Sequence, residues 1–217
     1  MKGRIWFAKN PWPKGHAIER AVWSGRLERS GELIFDFDIK SADYDADDKP
    51  DADEEDELDD DWKAKIVWTN YGGVSLSSTK WGHAGIPVGS ARKPLAWREL
   101  DGSTVRADRA TDTLPHEDES AALGIYLLGH DGVADHALRF TRTGKTWSID
   151  WKAKIALAYT GNLELEHRMK LELRGVAFDG FSIPKGMSPK AARALFDASV
   201  TDPAQWTIAK RRFVRAK

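Results

Sequence analysis

The segment GHDGVADH, residues 129–136, places His130, Asp131, Asp135 and His136 close together. Imidazole nitrogens and carboxylate oxygens are the donors that hold Zn²⁺ or another divalent ion, so a loop curling back between two strands could make these four a metal set. The same residue types beside Gly are also ordinary turn formers, with Asp bonding its own backbone. A second group is aromatic. Trp12 between prolines, Trp81 ahead of GHAGIP with His83, and Trp97 in LAWREL fall near turns. Their ring faces are candidate ligand-binding surfaces, suited to a sugar, a base or a protein side chain, or they cover the ends of the fold.

Other chemistry has weaker footing. PHEDE, residues 115–119, adds His116 and three acids, and His167 falls in the apolar phase of a strand, as a hydrogen-bonded core histidine would. Acid–base catalysis needs two carboxylates facing one cleft, and the pairs Asp36/Asp38 and Glu164/Glu166 share strand faces. Both lie on faces charged throughout, which a solvated sheet surface explains. No G-x-S-x-G elbow, Walker loop or dinucleotide fingerprint is present, and no cofactor is expected.

Charge is unevenly distributed. Of 34 acids and 33 bases, the segment 43–61 holds thirteen acids and one base, so the remainder has 21 acids against 32 bases, a formal +11. The segment reads as a solvated acidic loop, or as an intramolecular competitor for an anionic partner of the basic body, with Lys210, Arg211, Arg212, Arg215 and Lys217 as its landing site. There is no Cys, hence no disulfide or thiolate site, and the N-terminus lacks a signal-peptide pattern. No window is apolar enough to span a bilayer, so the expected location is cytoplasmic and no membrane partner is expected.

The elements that must position these residues are strands. Period-two alternation marks residues 33–39, 62–69, 147–159 and 163–173, with further strands at 4–8, 17–28, 95–100, 123–128 and 137–142. The hexamer DWKAKI occurs at 61–66 and 150–155, each copy followed by Gly and Leu at matching offsets, which reads as one hairpin used twice. In the second hairpin, pairing Lys152 with Glu172 and Asp150 with Arg174 sets opposite charges face to face and leaves Gly161 to Leu163 as the turn. SPKAARALFDAS reads as a helix with Ser188 as N-cap and Pro189 in first position, while DPAQWTIAKRRFVRA fits either a helical turn or an edge strand.

The expected fold is all-β and mainly antiparallel, one domain over 1–217: a jelly-roll-like β-sandwich with one short C-terminal helix, or alternatively a closed β-barrel. The expected function is a non-enzymatic binding or assembly module that uses sheet surface and loop aromatics to hold an unknown protein or polar ligand, or a second copy of itself. A carbohydrate-active or other hydrolase with paired carboxylates is one alternative. A nucleic-acid-associated protein masked by its acidic loop is another, less favoured.

Overall fold

The computed structural model describes residues 1–44, 46, 60–110, 112–114 and 121–216. Most of the acidic run and the whole of PHEDE fall outside these, so the readings placed on them lie outside the described residues.

Thirteen strands form among the described residues: β1 (Lys2–Phe7), β2 (His16–Leu27), β3 (Leu33–Ser41), β4 (Ser75–Ser77), β5 (Ile86–Gly89), β6 (Thr104–Ala107), β7 (Gly124–Tyr126), β8 (His130–Thr143), β9 (Thr146–Ala156), β10 (His167–Val176), β11 (Phe178–Ser182), β12 (Trp206–Ala209) and β13 (Arg212–Arg215). The antiparallel all-β fold is as expected, in the closed-barrel form. The order β2-β1-β10-β9-β8-β7-β4-β3 returns to β2 through the β2–β3 pairing, closing eight strands, while β5, β6, β11, β12 and β13 lie outside the ring. What separates this barrel from a sandwich is that long strands change neighbours along their length. β2 pairs with β1 at His16 and Ala17 but with β11 from Trp23 onward, and β3 pairs with β5 at its start and β4 at its end. Irregularities at Ile18/Arg20 in β2 and Ala134/Ala137 in β8 supply the bends that closure needs.

The barrel is filled rather than hollow. Trp23, Phe37, Phe140 and Trp151 are buried in one contiguous core, as eight strands leave just enough bore for side chains. Helix α2 (Pro189–Ala198) forms as expected, its Ser188 hydroxyl accepting from the Ala191 N–H at 3.2 Å. It seats Phe196 against Phe213 with ring centroids 3.9 Å apart. The segment after it resolves both readings: a 3-10 turn over Pro203–Gln205, then the β12–β13 hairpin, with Lys210 and Arg211 at positive φ in its turn.

Three expectations are corrected. Residues 97–100 form a 3-10 turn instead of continuing a strand, which puts Trp97 inside the fold. The first DWKAKI is not a hairpin arm: Asp60 caps a turn by accepting from the Trp62 N–H at 3.0 Å, and helix α1 (Lys65–Thr69) follows. Trp62 and Trp151 are both buried, yet Ile66 is 60% exposed whereas Ile155 is fully buried. Six identical residues thus take two conformations, because Ala and Lys have weak backbone preferences and the neighbours decide. Finally, β10 pairs with β9 two residues away from the charge-matched register, with Lys170 opposite Lys152 and Arg168 opposite Lys154. Like charges directly opposed cost roughly 0.2–1 kcal/mol per pair. Ion pairs offset part of this, Arg174 meeting Asp150 diagonally across the strands at 2.5 Å and Lys170 meeting Glu172 along its own strand at 2.7 Å. The connection over residues 157–166 also requires the shift. Leu165 is buried and Leu163 half-buried in a small cluster with Leu114, Ala134 and Ala156, so no tight turn forms at Gly161.

Candidate functional site

Eight of the ten Trp are buried. Trp12 joins Phe7, His16, Tyr44, Trp62 and Trp68 in an aromatic plug at one end of the barrel, its ring 5.9 Å from that of Trp68. Trp97 stacks on Trp23 at 5.8 Å and meets Trp206 edge-on at 5.2 Å. Neither presents a face to a ligand. The two half-buried tryptophans, Trp6 and Trp81, each line a cavity.

The cavity beneath Trp81 has a volume of about 350 Å³ and brings together Trp81, His83, His130 and Asp131. They arrive from two places. Trp81 and His83 stand on the loop between β4 and β5, which is tied down where the Ala84 and Gly85 N–H groups donate to the carbonyls of Ala121 and Ala122 at 2.9 and 3.0 Å. His130 and Asp131 open β8. The Trp81 ring lies 6.4 Å from that of His83 and 6.3 Å from that of His130, both nearly edge-on. Apolar walls come from Leu114, Leu123, Ile125, Val133 and Leu163. Two glycines give the cavity its shape, since a Cβ on Gly124 would overlap the His83 ring and one on Gly132 would overlap Leu114. Glycines inside strand patterns mark close approach, and that was the available sequence signal for this wall.

Beneath the loop, Asp36 is buried and bonded to Arg26 and to the Ser78 hydroxyl, at 2.8 Å for the latter. Arg26 also donates to the Ala84 carbonyl, so this ion pair fixes the loop that carries Trp81 and His83. Asp38 is engaged by Arg20 at 2.6 Å. Both carboxylates of the first candidate catalytic pair are therefore held by arginine. Glu164 and Glu166 are exposed.

Asp131 is the cavity's unusual group. It is 8% exposed; its Oδ2 accepts from the Leu128 N–H at 2.9 Å, while Oδ1 has no hydrogen-bond partner among the described residues. Burial raises its pKa to about 6, opposed by the N–H groups of Leu128 and Leu127 and by the neighbouring His130.

The four residues of GHDGVADH do not converge on a metal. The stretch is strand, not loop, and among the described residues no group of three or more His, Asp or Glu could hold an ion. Asp135, at φ 53°, sits at the bulge in β8, where the phase of the strand flips. Its carboxylate faces Lys154 at 3.9 Å on the outer surface, and His136 turns into the barrel. There the Trp151 indole N–H donates to His136 Nδ1 at 3.2 Å, and burial lowers the imidazole pKa to about 3. His167 is half-buried, stacked on Trp62 at 3.7 Å.

No helix among the described residues is long and apolar enough to cross a membrane. Fold and site together define a closed antiparallel β-barrel with a packed bore and a small, mainly apolar side cavity. Compared with known proteins, the chain matches no family model, no curated protein and no solved structure.

Proposed function

We propose that the chain is a non-enzymatic binding module whose Trp81 cavity takes a small ligand carrying an amine on an apolar body. The observation that carries this reading is the Asp131 carboxyl, set among apolar walls with Oδ1 lacking a donor among the described residues and its pKa raised to about 6. A perturbed carboxyl in a cleft is a marker of function, because its unmet hydrogen bonding costs stability unless a ligand supplies it. An ammonium supplies both the donor and the countercharge. An indole face attracts a cation, and the Lys80 ammonium already stands 4.8 Å from the Trp81 centroid, so a ligand ammonium would share or displace it there. A phenyl or alkyl body would fill the Leu123, Ile125 and Val133 side, and the His130 imidazole adds a hydrogen-bonding position.

The test is calorimetric titration with a matched pair, 2-phenylethylamine and 2-phenylethanol. The amine should bind and the alcohol should not, with Asp131→Asn removing the preference and Trp81→Ala weakening binding. Equal binding of the two compounds, or an amine preference that survives Asp131→Asn, would overturn the proposal.

A further inference from the structure

The outer face of the barrel carries the charge pattern that the sequence could not place. Strand pairing aligns Arg106 of β6, Ala137 of β8, Lys152 of β9, Lys170 of β10 and Trp6 of β1 as consecutive neighbours in one row across the sheet. At adjacent-strand spacings of about 4.8 Å the row spans roughly 19 Å. In the next row Lys154 stands opposite Arg168, whose carbonyl accepts from the Ala8 N–H at 2.9 Å. These residues, with Lys9, line a groove of about 700 Å³ whose only acid among the described residues is Asp135.

The contrast with the row on the other side is informative. There two acids, Asp150 and Glu172, stand between Arg139 and Arg4 in balanced charge, with Arg174 bridging both acids. In the cationic rows Lys170 reaches back to Glu172 and Lys154 to Asp135, but Arg106, Lys152 and Arg168 make no ion pair among the described residues. The register seats the apolar face and leaves cation against cation outside, a repulsion that a bound polyanion would relieve. Ala8 and Ala137 keep the floor low, and Trp6 closes the row with an indole under the Lys170 ammonium, 5.1 Å from its centroid.

We infer that this groove binds single-stranded nucleic acid, with phosphates on the two cationic rows and a base against Trp6. An unpaired strand offers both the regular anions and the flat aromatic surface that these residues match; an acidic peptide offers only the first. The site is separate from the Trp81 cavity, so either assignment can fail alone.

Fluorescence anisotropy of the full chain with labelled oligo(dT) tests it. Neutralising four phosphates, by Arg106, Lys152, Arg168 and Lys170, gives a slope of log affinity on log salt of about −3, at about −0.7 per phosphate. The double variant Lys152→Ala/Lys170→Ala should reduce that slope by about 1.4 and weaken binding at low salt about tenfold. Trp6→Leu should weaken binding with the slope unchanged, and Lys190→Ala, on the exposed side of α2, should change neither. No binding at low salt, binding unaffected by the double variant, or stronger competition by polyglutamate than by unlabelled oligo(dT) would overturn the inference, the last pointing to an acidic protein partner instead.

Discussion

Asparagine in place of Asp131 should reshape how stability depends on pH. The native carboxyl, at about 6 against an ordinary value of 3.8, differs by about 2 units, which is about 3 kcal/mol. The folded state holds this proton more tightly than the unfolded chain does. The stabilising contribution is therefore complete below pH about 4, is lost as pH rises from 4 to 6, and above 6 the folded protein carries the full cost. His136 acts in the opposite sense. Its pKa is lowered to about 3 from 6.5, so folding is unpenalised above pH 6.5 and loses about 1.4 kcal/mol per pH unit as pH falls toward 3. Between pH 4 and 6 the two slopes cancel. Asp131 and His136 together should leave stability unchanged across that window, so Asp131→Asn should lose about 3 kcal/mol more than the native protein as pH falls from 6 to 4. At pH 7 the variant should be more stable than the native protein by about 1–3 kcal/mol, since Asn can still accept from the Leu128 N–H and places no charge in the cavity. Urea unfolding followed by circular dichroism from pH 4 to pH 8 measures both curves. Because other titrating groups, including the half-buried His167, are common to both proteins, the difference isolates Asp131. A difference that does not change with pH, or a variant less stable at pH 7, would make Asp131 an ionised cap for Leu128 and not a carboxyl penalised by burial.

Two further expectations concern the support of the site and a strained turn. Asp36→Ala should leave Arg26 without its buried partner, cost about 2–3 kcal/mol in urea unfolding, and broaden the Trp81 indole resonance as the loop loosens. Unchanged stability would mean that the ion pair does not hold the loop. Lys210→Asn, at φ 47° in the β12–β13 turn, should raise stability by about 0.5–1 kcal/mol, because Asn adopts the left-handed region more readily; a loss would show that the Lys210 side chain has a packing role.

Some of this architecture was legible in the residues. β9, β10 and α2 announce themselves because a single periodicity runs uninterrupted through each, with Trp147, Ile149, Trp151, Ala153 and Ile155 all buried. The register did not, because two settings that differ by two residues bury the same face, and the choice between them rests on how residues 157–166 dock rather than on charges across the pair. The bulge at Asp135 was hidden for a related reason. One extra residue in β8 sends His136 inward and Asp135 outward, so a cluster compact in sequence is dispersed in space. The cavity was half visible. His83, Trp81, His130 and Asp131 stood out by type, but Leu114 and Leu163 reach it from segments whose contact only the fold creates. First-copy DWKAKI shows the limit most plainly, since its conformation is fixed by the Asp60 cap and by the Trp62 indole N–H donating to the Ala8 carbonyl at 2.9 Å.

The most direct measurement of the central claim is the titration of the Asp131 carboxyl carbon by ¹³C NMR, with and without saturating 2-phenylethylamine. An apparent pKa near 6 is expected in the free protein, falling by at least one unit, or about 1.4 kcal/mol, when the ammonium is bound. A carboxyl that titrates near its ordinary value in the free protein, or that stays near 6 with amine present, would contradict it.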